Sequence, residues 1–425
     1  MVKEVTLKFS VIALSSFFAT TVHASAFQLL EQNAVNLGNA YSGTAATMGD
    51  ASSIFTNPAA LLGIQGKQVA VSSVAASARS KVETDVARSN FGLNVTGQDS
   101  DPGGAAIIPG IYYAQRLGSD FVVGLGTTVP FGLKMEYDAD SLARYVATKS
   151  EVRTVDIMPT IAYALADTVS VGIAADLVYV KATLDSHIDA GASGLSSTDS
   201  TSRNVADAWA YSAHAGIHYH GEEGGSIGLV FHAPVHVTAE GDSSSSFSGT
   251  TQAVKSEVDL PASVTMSVIQ PIGESLELLG DASWTRWDRF SVLSLEFANG
   301  MVTDTPEHFK NTWRLAGGAN YLYNDMLTFK MGAAYDKTPV NDAYRTARIP
   351  DEDRLWLSVG AAWHLWKNLN VNLGYAHLFF KTANVDDHGV HSNVTGAPLF
   401  PALHYKSNYK TKADIIGLQL SWDYV

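Results

Sequence analysis

Beyond Gly66 the chain keeps one pattern to its end: short runs in which apolar residues alternate with small or polar ones at a period of two. Trp209, Tyr211, Ala213, Ala215, Ile217 and Tyr219 interleave with Ala210, Ser212, His214, Gly216, His218 and His220. Leu355, Leu357, Val359, Ala361, Trp363 and Leu365 interleave likewise with Arg354, Trp356, Ser358, Gly360, Ala362 and His364. Ile416, Leu418, Leu420, Trp422 and Tyr424 end the chain in the same manner. Each run is about ten residues long with aromatics at the ends of its apolar face, as a lipid-facing strand requires. A soluble sandwich would bury those aromatics mid-strand. Hydrocarbon offers backbone N–H and C=O groups no partners, so a sheet of such strands has to close on itself. The runs number about fourteen, an even count like that of single-chain bacterial barrels. The expected fold class is all-β, an antiparallel transmembrane β-barrel of about 14 strands plugged by its N-terminal segment.

That plug is residues 25–66. The stretch is rich in Gly, Ala, Ser, Asn and Thr and too poor in apolar residues for a core of its own, so it suits a filled lumen. Residues 1–24 read as a secretory signal. Lys3 and Lys8 supply its charge, Phe9 to Ala19 its apolar stretch and Val22-His23-Ala24 its cleavage site, with cleavage after Ala24 or Ala26 fitting equally. Residues 67–425 are the barrel. Short connections near 117–120, 166–167 and 221–224 alternate with long polar ones at 184–205, 241–253, 298–307 and 382–411, which places periplasm at one end and the exterior at the other.

Composition removes several function classes. After the N-terminal segment no stretch of about 18 apolar residues occurs, which excludes helical spans. The chain has no Cys, so no disulfide framework or thiolate metal site is available. A formal charge of −14 opposes nucleic-acid binding, which needs excess Lys and Arg. No nucleophile elbow, phosphate-binding loop or dinucleotide fingerprint appears, so neither an enzyme nor a cofactor is expected.

The motifs point to a family. The opening segment carries Leu37-Gly38-Asn39-Ala40, Tyr41-Ser42-Gly43, Asp50-Ala51 and Asn57-Pro58-Ala59. Val129-Pro130-Phe131-Gly132-Leu133, Phe309-Lys310-Asn311-Thr312-Trp313-Arg314 and Ile349-Pro350-Asp351-Glu352-Asp353-Arg354 follow in order. Together they resemble the FadL/TodX outer-membrane transporters of long-chain fatty acids and other hydrophobic compounds. The resemblance implies a monomer in the bacterial outer membrane, among its lipid and lipopolysaccharide. It implies uptake of a long-chain fatty acid through a hydrophobic lumenal pocket, rearrangement of the hatch, and lateral release at a kink in the third strand. Two alternatives stand beside it: a transporter of small aromatic hydrocarbons, and a diffusion porin for polar solutes.

Expected site residues follow from that resemblance and from parity. Phe27, Lys310, Arg314 and Lys181 are assigned to the ligand. Lys310 and Arg314 share the polar parity of the tenth strand and should face the lumen, where a carboxylate needs a cation. Lys181 shares parity with Leu177 and Tyr179, so it faces inward only through a bulge and otherwise snorkels at the outer rim. Lumenal ion pairs are the alternative role for both lysines. Asn57, Pro58 and Ala59 are the gate residues, with simple packing as the alternative. Pro130, Phe131 and Gly132 mark the lateral opening, because Pro130 cannot donate a ladder hydrogen bond. His214, His218 and His220, with His232 and His236 on the next strand, fall on one kind of face, and contact with the hatch is favoured there over a metal.

Overall fold

The computed structural model describes residues 26–190, 199–222, 224–392, 399 and 401–424. The expected signal segment, residues 1–24, lies outside them. Fourteen antiparallel strands form a closed barrel. In chain order they are β1 (Lys67–Arg88), β2 (Ala105–Leu117), β3 (Phe121–Thr128 and Gly132–Glu136), β4 (Lys149–Ala166), β5 (Val169–Ile188), β6 (Ser200–His220) and β7 (Ser226–His232 and Val235–Ser245). They continue as β8 (Thr250–Leu260 and Ser263–Ile272), β9 (Leu276–Thr285 and Val292–Phe297), β10 (Val302–Pro306 and Thr312–Asn324), β11 (Leu327–Asp336), β12 (Arg354–Trp366), β13 (Leu369–Phe380 and Ala383–Asp387) and β14 (His404–Tyr424). Pairing of β1 with β14, from Lys67 opposite Tyr424 to Arg88 opposite His404, closes the ring and leaves no free edge there.

Parity behaves as the alternation predicts over most of the wall. Trp209, Tyr211, Ile217 and Tyr219 are exposed while His214 and His218 are buried, and Ile416, Leu418 and Leu420 are exposed while Gln419 and Ser421 are buried. Outside the wall is apolar because it meets lipid; inside it is small and polar because it meets backbone. Much of what the sequence suggested as long polar loops is strand instead: 184–188, 241–245, 250–253, 302–306, 383–387 and 404–411 all belong to the sheet. Water hydrates those outer extensions, so they can be polar on both faces and lose the alternation that marks the membrane part.

Residues 26–66 lie in the lumen as turns and short helical pieces: Leu37–Asn39, Thr44–Ala46, Ser53–Thr56 and Pro58–Gly63. So short a segment cannot satisfy its own backbone, and the wall does it. The Ala45 N–H donates to Ser267 Oγ at 3.0 Å, Lys330 Nζ donates to the Val35 carbonyl at 2.8 Å, and His218 Nε2 donates to the Ala46 carbonyl at 3.0 Å. Asp50 accepts from Gln419 Nε2 at 2.8 Å and Ser421 Oγ at 2.7 Å. Close approach needs wall positions without a Cβ. A Cβ at Gly228 would stand 1.8 Å from the Ala45 carbonyl oxygen, and one at Gly216 would stand 1.9 Å from Asn57 Oδ1.

Gly228→Val therefore forces the Thr44–Ala46 turn off the wall. Overpacking of this kind costs about 1–3 kcal/mol, so the displaced hatch should gain roughly tenfold or more in population. Single-channel recording in planar bilayers should find more frequent openings for the variant than for the wild type. Equal conductance in two equally folded barrels would contradict this seating of the hatch.

Candidate functional site

The third strand breaks where the motif predicts. β3 stops at Thr128 and resumes at Gly132, with Thr128 opposite Asp156 and Gly132 opposite Arg153 on β4. Four steps on β3 thus match three on β4, a one-residue bulge over Val129–Phe131. On its other side β3 pairs with β2 only from Phe121 to Thr127, so β2 residues 105–110 have no ladder partner on β3. The ladder between the two strands is interrupted at that height.

The hatch takes over the pairing that β2 gives up. The Leu29 N–H donates to the Pro130 carbonyl at 2.9 Å, the Gly132 N–H donates to the Phe27 carbonyl at 2.8 Å, and Gln32 Nε2 donates to the Val129 carbonyl at 2.9 Å. Gln28 and Phe131 form an antiparallel bridge. Phe27 itself is buried in an aromatic cage, 4.8 Å from the Trp287 ring, 5.3 Å from Phe290 and 6.2 Å from Phe131 between centroids. The start of the hatch is fixed by the Ile-Pro-Asp-Glu-Asp-Arg segment, whose Asp351 accepts from the Ala26 N–H at 3.1 Å and lies 3.5 Å from Arg354 Nη1.

A cavity of about 90 Å³ lies between hatch and wall, lined by Leu29, Leu30, Pro130, Phe131, His232 and Arg314 among others. Arg314 is the cation of that wall. It is buried, donates to the Ala40 carbonyl of the hatch, stands 4.0 Å from Asp281 and lies over the Trp356 ring at 5.5 Å. A larger outer basin of about 780 Å³ opens above, lined by Tyr145, Leu293, Leu295, Phe297, Met301 and Arg348 among others. Burial lowers the Arg348 guanidinium from its usual value, against the pull of Asp387 and Asp185.

Asn57, Pro58 and Ala59, the expected gate residues, are wholly enclosed. Asn57 donates to the carbonyls of Ala45 at 2.7 Å and Ile217 at 3.1 Å and accepts from the Ala59 N–H at 3.1 Å. Pro58 and Ala59 lie against Gly172 of β5, where an added Cβ would stand 2.5 Å from either. Two histidines hold the same region. His214 reaches the Ile54 carbonyl at 2.6 Å and Asp176 at 2.7 Å, His232 reaches the Phe55 carbonyl at 3.0 Å, and their rings stack at 4.6 Å.

Two expected orientations are corrected. Lys310 is exposed instead of lumenal. The 307–311 stretch lies outside the strand and does not hold the alternation: Phe309 is buried, Lys310 and Asn311 are both exposed, and Thr312 and Arg314 take the inward face where β10 resumes. His236 points outward and pairs with Asp259 at 2.8 Å, because the break at Ala233–Pro234 inverts β7, burying Val235 and Val237. Lys181 is exposed, opposite Arg153 and Asp207, on the outer face as its parity requires. The wall glycines and the clamp of Gln419 and Ser421 on Asp50 were not singled out from sequence, since nothing in a strand's pattern says which hatch residue it will touch. Among the described residues the three-donor His and carboxylate cluster is Asp386, His388 and His404 at the outer rim, away from the hatch.

Residues 15–424 match the family described as outer membrane protein transport protein (OMPP1/FadL/TodX). Outer membrane protein P1 of Haemophilus influenzae is 27% identical over 442 residues, covering 95% of this chain and 96% of that one. The long-chain fatty acid transport protein of Escherichia coli strain K12 is 23% identical over 416 residues, covering 88% and 92%. Among solved structures, a Pseudomonas aeruginosa FadL homologue superposes with a TM-score of 0.84 at 21% identity, covering 94% of this chain and 100% of that chain. The P. putida toluene transporter TodX superposes at 0.70 with 15% identity, covering 92% and 98%. Barrel, lumenal hatch and a family match over nearly its whole length place the chain in the OMPP1/FadL/TodX family of outer-membrane transport proteins for hydrophobic compounds.

Proposed function

We propose that the protein takes up long-chain fatty acids and releases them sideways into the bilayer between β2 and β3. The observation that carries this reading is the exchange of pairing at the β3 break, where hatch residues Phe27–Gln32 hold the backbone that β2 leaves unpaired. An acyl chain entering from the outer basin displaces Phe27 from its aromatic cage. That movement pulls the hatch from Pro130 and Gly132 and leaves the Val129, Pro130 and Gly132 backbone groups without partners. Each such loss costs about 1–3 kcal/mol, offset by about 0.8 kcal/mol for every CH₂ the ligand buries. Short or polar solutes do not bring enough apolar surface to open the path. A porin reading is opposed by the same contacts, since the hatch is bonded to the wall from Asn39 to Asn57.

The cavity of about 90 Å³ is smaller than the roughly 150 Å³ that accommodates a benzene ring, so a ligand fits there only as it displaces the hatch. A carboxylate ligand is favoured over an aromatic hydrocarbon by Arg314, a buried cation on the cavity wall whose only carboxylate within 4.0 Å among the described residues is Asp281. Lys310, facing outward, has no part in this route.

Deleting Pro130 restores a one-to-one register between β3 and β4 and closes the opening. In cells lacking their own transporter, wild type should restore uptake of a radiolabelled long-chain fatty acid and the deletion should abolish it in a barrel that still assembles. Undiminished uptake by the deletion would move the exit elsewhere, and no uptake by the wild type would reject the fatty-acid assignment.

Arg314→Ala leaves Asp281 buried without its cation and frees the Ala40 carbonyl, a loss of about 3 kcal/mol by analogy with broken buried pairs. The hatch should then be cleaved by added protease well below the barrel's melting temperature, while fatty-acid affinity falls. Toluene binding that stays constant as fatty-acid binding falls would assign Arg314 to the head group. Equal loss of both would reduce its role to holding the hatch.

A further inference from the structure

On the outer face of the β1–β14 seam, two cation pairs stand directly across from each other: Arg79 opposite Lys412 and Lys81 opposite Lys410. All four side chains are exposed. Like charges directly opposite in an antiparallel pair destabilise it. Glu83 relieves one pair, lying 2.8 Å from Lys81 and 2.9 Å from Lys410. Arg79 and Lys412 have no hydrogen bond or ion pair among the described residues. The neighbouring charges are already engaged: Asp101 accepts from the Ser80 and Gly103 N–H groups at 2.8 and 3.0 Å, Lys381 pairs with Asp353 at 2.8 Å, and Asp414 pairs with His377 at 2.7 Å. Around the four cations is a shallow depression of about 460 Å³, floored by Ser80 and Thr411 and flanked by Phe380.

Its height on the barrel identifies the ligand. Below it the outward residues of β14 are Ile416, Leu418, Leu420, Trp422 and Tyr424, all exposed and apolar. From Tyr424 to Asp414 a strand rising about 3.3 Å per residue at a tilt of about 40° climbs about 25 Å, the height of the apolar band of such barrels. The four cations come just above Asp414. They therefore stand where the phosphates of the outer leaflet lie, with Phe379 beside Lys412 on the next strand and Ile416 and Leu418 lower on β14 offering acyl chains a surface. A soluble anion has no use for that apolar surface; a lipid-borne phosphate meets both.

We propose that Arg79, Lys81, Lys410 and Lys412 bind a phosphate group of lipid A, the membrane anchor of lipopolysaccharide, and so fasten the seam that closes the barrel. Arg79 supplies the planar fork suited to bidentate phosphate contact, and the lysines supply point charges around it. The site is on the lipid face and is separated from the β2–β3 opening by β2, so it is independent of the transport reading.

The test is native mass spectrometry of the detergent-solubilised full chain, titrated with bis-phosphorylated lipid A, with the same lipid stripped of its phosphates, and with inorganic phosphate. The expected result is one retained lipid A per barrel for the wild type and at least tenfold weaker retention for R79A/K412A. Arg79→Lys should keep most of the binding, which separates lost charge from lost fold. Fatty-acid uptake by R79A/K412A should equal that of the wild type. Equal retention of lipid A by wild type and double variant, or equal retention with and without phosphates, would overturn the proposal. Occupancy by inorganic phosphate that blocks lipid A would assign the site to a soluble anion and overturn it as well.

Discussion

Everything in this molecule answers to the cost of an unpaired backbone group in hydrocarbon. A strand in the bilayer has no water to fall back on, so every ladder must be completed by another strand or by something that imitates one. The β1–β14 pairing completes the ring. At the single place in the wall where β2 and β3 part, the imitation is the hatch: carbonyls of Val129 and Pro130 and the N–H of Gly132 are paired from inside the lumen. The same hydrogen bonds thus seat the hatch and complete the backbone of β3. A hatch that moved without consequence for the wall, or a wall that opened without moving the hatch, would leave these groups bare.

The lumen is built for backbone, and that explains its composition. A plug of some forty residues without helices of useful length brings many unsatisfied groups to the wall, and polar side chains such as Ser170, Ser267 and Gln419 meet them at hydrogen-bonding distance. Where the plug comes closer than any side chain permits, the wall has glycine, as at Gly216 and Gly228. Charged groups are used sparingly and in bonded sets: Asp336, Asp351 and Arg354 beside the first hatch residue, Asp176 with His214, and Asp281 with Arg314. A buried set of this kind is strict about geometry, which favours one seated position of the hatch over many loose ones.

What could be read in advance was what depends on a strand's own neighbours in sequence. A period of two separates lipid from lumen wherever a strand is continuous, so the inward positions of Arg314, His214 and Gln419 were legible. It fails where the strand is not continuous. Proline at 130, 234 and 261 marks three such places, and past each of them the alternation has to be restarted. Lys310 was misplaced because residues 307–311 interrupt β10 and leave Lys310 and Asn311 both exposed, so the parity of Thr312 and Arg314 does not carry back to it; one residue of slip moves a side chain to the other face. The outer strand extensions were hidden for a different reason: with water on both sides their sequences carry no alternation. The contacts between hatch and wall lay beyond any local pattern, since they join residues hundreds of positions apart.

The three proline breaks lie side by side around the cavity, where Pro130, Ala233 and Pro261 share its lining with Leu29 and Leu30. Their alignment has a mechanical consequence. Below them the barrel keeps regular ladders and a hatch bonded to the wall through Asp50, and Arg116 ties the Leu62 and Ile64 carbonyls to the periplasmic rim. Above them β7 presents Val235 and Val237 to the inside, the opposite of its lower half. The breaks therefore divide a polar, plug-filled lower lumen from an upper lumen with apolar patches, and they do so at the level where the β2–β3 ladder is interrupted. On the proposed route a hydrophobic ligand descends through the upper part, meets a polar floor that offers it nothing, and finds its lower-energy continuation sideways. Direction follows from the change in lining, with no energy source required beyond the ligand's own preference for oil.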